Sequence, residues 1–139
     1  MGNTLLESSA NNELPVVNSG FIRQIENAKG DPKAHNKKED ARGLHQIRPI
    51  VLKEWNNYNP KEQYKGKDLF DAGINTKIGE WYLNYRIPQM LQTFGKPVTI
   101  ENVIISYNAG IDYVVKEKPI PKITQQYLIK YYKLLNGVK

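Results

Sequence analysis

Apolar residues along this chain recur mainly at helical spacing. Val17, Phe21, Ile25 and Ala28 stand three and four residues apart, Pro15 suits a first helical turn, and Gly30-Asp31-Pro32 stops the run. Pro49 opens a second segment with Val51, Leu52 and Trp55 inward, ending in the Asn-rich stretch from Asn56 to Asn59 ahead of Pro60. The clearest stripe is Ile74, Ile78, Trp81, Tyr82 and Tyr85, N-capped by Asp71, and it predicts the spine of the core. Pro88 interrupts it before Met90, Leu91 and Phe94 resume, and Gly95 with Pro97 ends the segment. Thr99 caps a further helix, with Val103, Ile104 and Tyr107 sharing a face and Gly110 terminating it. After Pro119-Ile120-Pro121 a last helix carries Tyr127, Leu128, Tyr131, Leu134 and Leu135 on one side, with Gly137 as the stop.

The intervening stretches are polar and punctuated. Residues 30 to 42 hold Gly30, Pro32 and a Lys-Lys-Glu-Asp run, which predicts a loop or small hairpin over the end of the first helix. Residues 1 to 12, rich in Asn and Ser, read as a flexible lead-in, leaving 13 to 139 for the domain. No strand signal of comparable length and no internal repeat occurs, so the predicted fold class is mostly α in a single domain.

Composition narrows the chemistry. At 139 residues the chain suits one core. Having no cysteine, it lacks disulfides, thiolate nucleophiles and thiolate zinc sites. Two histidines without clustered carboxylates argue against a metal, and no phosphate loop or zinc-protease signature is present, so no cofactor is expected. Nine tyrosines against three phenylalanines suit a wet, aromatic-lined surface feature. The formal charge of +6 favours an anionic matrix, yet the lysines are spread and mixed with acids, which excludes a nucleic-acid site as the expected partner. No run of eighteen apolar residues spans a membrane, and Met1 to Asn12 lacks the basic and apolar regions of a secretion signal.

Glu26 falls in the last turn of the first helix beside the apolar stripe. A carboxyl half-buried there would keep its proton near neutral pH and serve as a general acid, although spacing alone favours a solvated helix-end glutamate, a common feature. Segments further along the chain set it apart: Ala41-Arg42-Gly43-Leu44-His45-Gln46-Ile47-Arg48-Pro49, then Asp68-Leu69-Phe70-Asp71 with Gly79-Glu80-Trp81-Tyr82-Leu83, then Ser106-Tyr107-Asn108-Ala109-Gly110, and Ile120-Pro121 with Thr124 and Tyr127. In this order, from about residue 17 to 135, these segments resemble the soluble lytic transglycosylase domain. The family pattern has a catalytic Glu ending the first helix, Gly-Leu-Met-Gln-(Ile/Leu)-x-Pro, Gly-x-Trp-Tyr-Leu, Ala-Tyr-Asn-Ala-Gly and a closing Thr-x-x-Tyr.

The resemblance implies a lysozyme-like domain whose loop or hairpin flanks an active-site groove. It implies cleavage of the MurNAc-GlcNAc β-1,4 bond of a peptidoglycan glycan strand, with Glu26 as the general acid and base and a 1,6-anhydroMurNAc end as product. It assigns substrate contacts to Gln46, Tyr107 and Asn108, and gives Tyr127 a part in orienting Glu26, while both tyrosines also fit a core. Asn27 stands where the pattern has Ser and would contact substrate through its amide. His45 stands where it has Met and would bring a polar edge to the groove. Gly43 would let the backbone approach the substrate. A monomer at the cell envelope, periplasmic or extracellular, or a phage-associated protein, is implied. Without a signal segment, the expectation is that a leader has been lost or that the protein reaches the wall within a phage particle or conjugation apparatus. Two alternatives stay open. A goose-type hydrolytic lysozyme would use Glu39 or Asp40 as a second carboxylate roughly 6.5–9.5 Å from the acid; otherwise these two form a charged hairpin tip. A non-catalytic peptidoglycan-binding module of a secretion or phage assembly would have no use for Glu26.

Overall fold

The computed structural model describes residues 13–137, so the lead-in expected over residues 1 to 12 lies outside the described residues. The first helix, α1 (Ser19–Glu26), starts on Asn18, whose side chain accepts the Phe21 N–H. Pro15 therefore precedes the helix instead of opening it, and Ala28 falls beyond its end. Asn18 wins because its side-chain oxygen joins its own backbone carbonyl in accepting the first-turn Phe21 N–H. The chain ahead of α1 is anchored: the Asn84 amide bonds both backbone groups of Val17, and the Asn18 N–H donates to the Tyr131 hydroxyl at 2.9 Å.

Past α1 comes an antiparallel hairpin, β1 (His35–Asn36) and β2 (Ala41–Arg42), with His35 opposite Arg42. Arg42 then exchanges backbone hydrogen bonds with Ile47, folding residues 42 to 47 into a second tight turn. Gly43 and Gln46 hold φ of 77° and 51° inside it. Helix α2 (Pro49–Tyr58) begins on its proline as expected. A 3₁₀ turn over Gly66–Phe70 leads to Asp71, which caps α3 (Ala72–Trp81).

Pro88 acts upstream of itself. The chain passes from α3 through a π turn, Tyr82–Arg86, into α4 (Ile87–Thr93), and the Ile87 N–H bonds the Tyr82 carbonyl across the widened turn. Proline has no N–H and its ring crowds the carbonyl four residues back, so widening the preceding turn accommodates it without breaking the rod. The widening also rotates the buried stripe. Leu83 and Ile87 face the core, whereas Tyr85, predicted inward, is 56% exposed.

The spine is α5 (Ile100–Asn108) rather than α3. Val103 through Tyr107 are all buried, which requires neighbours on every side. After the short α6 (Asp112–Val115), α7 (Lys122–Leu135) packs on α1 and α5 through Thr124, Tyr127 and Tyr131. Leu135, predicted on this face, is exposed because the helix has run past its partners. The architecture is mostly α, and its small hairpin stands beside the C-terminal end of α1.

Candidate active site

Glu26 ends α1 half-buried, in a small recess shared with Asn36, Glu39, Ala41, Gln46, Arg48, Tyr107 and Asn108. The recess holds about 50 Å³, room for a water or a small substituent and not for a sugar ring. The hairpin supplies one wall and the end of α5 the other. Burial pushes the Glu26 carboxyl up to about 7. Opposing it are the Tyr127 hydroxyl, which donates to Oε2 at 2.9 Å, and the positive charge of Arg48; the charge of Glu39 adds to the rise. The balance leaves an acid that titrates near neutral pH, populated in both forms there, and whose anion has a hydrogen-bond donor in place.

The tyrosines divide their work. Tyr127 is buried and bonds Glu26 directly, so it orients the carboxyl. Tyr107 is also buried, and its hydroxyl donates to the His45 carbonyl at 2.7 Å. Only part of its ring remains for a ligand. Asn108 closes α5, and its side-chain oxygen accepts from Thr124 Oγ1 at 2.6 Å. With the oxygen held, the Asn108 amide NH₂ has no protein partner among the described residues. Gln46 does the reverse: its NH₂ donates to the Gly43 carbonyl at 3.0 Å, leaving the amide oxygen free to accept. The recess thus offers one free donor, on Asn108, and one free acceptor, on Gln46.

Two predicted contacts lie elsewhere. His45 is only 2% exposed, with Nε2 on the Ser19 carbonyl at 3.1 Å and its ring against Gly79. It faces inward because a glycine on α3 makes room; a Cβ on Gly79 would stand 2.9 Å from the ring. Burial lowers its pKa and keeps it neutral. Asn27 is buried too, its amide donating to the Asp31 carbonyl and accepting from the Asp31 N–H. It closes the turn after α1 instead of reaching a substrate. Gly43 likewise serves packing, since a Cβ there would lie 2.3 Å from the Leu69 carbonyl.

Of the two hairpin acids, Glu39 lines the Glu26 recess and Asp40 does not. Asp40 bonds His35 at 2.7 Å and Arg42 at 2.8 Å, and these partners hold its pKa low. Sequence reasoning missed Arg48, whose Nη2 donates to the Tyr107 carbonyl at 2.6 Å and ties α2 to the end of α5. Its place between the motif glutamine and Pro49 was the available signal. Thr124 was missed as a site residue, being buried behind Asn108. Among the described residues no group of three or more His, Asp or Glu side chains stands ready to hold a metal.

A family model described as transglycosylase SLT domain matches residues 10–129. No curated protein and no solved structure matches.

Proposed function

Because the chain belongs to the transglycosylase SLT domain family, whose members are peptidoglycan lytic transglycosylases, we propose that it cuts the MurNAc-GlcNAc β-1,4 bond with Glu26 as its one acid and base. The observation that carries this is the half-buried Glu26 carboxyl, raised to about 7 and bonded by Tyr127 within a recess between hairpin and α5. Glu26 gives its proton to the O4 of the departing GlcNAc as the C1–O4 bond breaks. The MurNAc C6 hydroxyl then attacks C1, its proton passing to the Glu26 carboxylate, and a 1,6-anhydro ring closes. No water is consumed and Glu26 ends protonated, so one carboxyl serves both transfers. Asn108 donates to, and Gln46 accepts from, the flanking sugar substituents. SLT domains act where peptidoglycan lies, in the periplasm or outside the cell. No helix among the described residues is long and apolar enough to cross a membrane.

The second reading, hydrolysis, is favoured by one feature: Glu39 shares the recess with Glu26. The product decides between them. Muropeptides one water lighter than lysozyme products, with MurNAc ends that borohydride does not reduce, support the intramolecular route. Reducible ends, together with inactivity of a folded Glu39→Gln variant, establish the hydrolase.

Two further outcomes are expected from the same geometry. Asn108→Ala lowers turnover about tenfold with a melting temperature within a few degrees of wild type, since the side chain sits on the recess and not in the core. A stability loss beyond about 2 kcal/mol would instead assign Asn108 a structural role through Thr124. Tyr127→Phe removes a hydrogen bond that favours the Glu26 anion, so the alkaline limb of kcat/KM moves upward from its wild-type position near 7. A limb that stays in place would separate Tyr127 from the acid.

A further inference from the structure

One guanidinium joins two helices at the Glu26 recess. Arg48 lies between Ile47 and Pro49, and the proline confines it to extended backbone. Its carbonyl accepts the Val51 and Leu52 N–H groups at 3.0 and 3.3 Å, which fixes its backbone to the first turn of α2. Across the recess, Nη2 donates at 2.6 Å to the Tyr107 carbonyl in the last turn of α5, where no further helical N–H follows to bond it. A cation there also meets the negative end of the helix dipole. Asn108, the next residue, is gripped twice. Arg48 holds its backbone through Tyr107, and Thr124 holds its side-chain oxygen.

Charge gives the same side chain a second task. Among the described residues lining the recess, Arg48 is the one cation, and Glu26 and Glu39 are the acids. A guanidinium keeps its charge at any working pH. Once Glu26 has given up its proton, a half-buried carboxylate stands near Glu39 until the proton returns, and burial and like charge both oppose that state. From α7, Tyr127 supplies one hydrogen bond to it. Tyr107 on α5 and Tyr82 on the π turn stay neutral, since burial pushes both hydroxyls up. Arg48 is the full charge that offsets the anion.

We propose that Arg48 is a positioning residue of the reaction, holding the Asn108 amide in place through the Tyr107 carbonyl and stabilising the Glu26 carboxylate between its two proton transfers. The assignment rests on the reading of Glu26 as acid and base. Two substitutions in the full chain separate the tasks: Arg48→Met removes charge and donors, whereas Arg48→Lys keeps the charge without the planar fork. Followed by carboxyl-carbon NMR, with Glu26→Gln assigning the resonance, Glu26 titrates near 7 in wild type and Arg48→Lys, and about one pH unit higher in Arg48→Met. The alkaline limb of kcat/KM for peptidoglycan moves with it. KM rises several-fold in both variants because the end of α5 is no longer tied, while kcat falls about tenfold in Arg48→Met alone. Arg48→Gln, uncharged but still a donor, repeats the titration should the methionine variant not fold. A Glu26 titration that stays near 7 without the charge overturns the electrostatic task, and a wild-type KM in Arg48→Lys overturns the positioning one. The NMR titration needs no turnover, so clearance of peptidoglycan by wild type against Glu26→Gln judges the catalytic reading separately.

Discussion

Glu26→Gln leaves the fold intact and lowers peptidoglycan cleavage by roughly 10²–10⁴-fold, the ordinary worth of a positioned acid and base. Glutamine keeps the shape and can still accept from Tyr127, but it has no proton to give to the leaving oxygen. The same substitution changes stability in a pH-dependent way. The wild-type carboxyl titrates near 7 when folded and near 4.5 when unfolded. Between those values the native state holds a proton that the unfolded chain has released, so wild-type stability falls as pH rises through that window and stays lower above it. Glutamine carries no such penalty. The variant is therefore more stable than wild type at pH 8, on the order of 3 kcal/mol, with the difference shrinking toward pH 4. Urea denaturation at the two pH values measures this beside a turbidity assay. A variant that keeps more than about a tenth of wild-type clearance places the acid elsewhere.

Asn75→Ala costs roughly 3–5 kcal/mol, a large share of the stability of a domain this size. Asn75 is fully buried on α3, and its amide serves three backbone groups at once: NH₂ donates to the Arg42 and Leu69 carbonyls, and the oxygen accepts the His45 N–H, each at 2.8 Å. Removing it leaves those groups in the interior without partners. Thermal melting detects the loss as a fall of about 10 °C. Asn75→Asp separates hydrogen bonding from volume, because a carboxylate fills the space yet cannot donate to two carbonyls. If the aspartate variant melts with wild type, the polar account is wrong. As the side chain fixes residues 42 to 45 against α3, surviving protein should also lose activity through a loosened recess wall.

Elements with local causes were legible from the residues in order. Asp71 and Thr99 cap the helices they were expected to cap, accepting from Ile74 and Asn102, and Pro49 starts α2, because each signal acts within one turn. The proximity of Glu26, Gln46, Tyr107 and Asn108 came from the family resemblance, since no periodicity brings residues so far apart together. What could not be read depends on partners distant in the chain. His45 faces inward only because Gly79 vacates space thirty-four positions later. The side chain of Asn27 is committed to the turn it closes, which the identity of one amide does not announce. Arg48 was overlooked because its carbonyl partner sits at the far end of α5. Tyr85 points outward because Pro88 widens the turn before it, which a reading of the proline as a local interruption does not announce.

The hydroxyl that steadies Glu26 belongs to α7, one hundred and one residues away. During synthesis α1 leaves the ribosome long before that helix exists, and until α7 docks Glu26 lacks both its donor and part of the burial that raises its pKa. If Glu26 is the lytic acid, as proposed, competence comes only with the last helix, and a product cut short before Tyr127 lacks the hydroxyl that holds that acid in place.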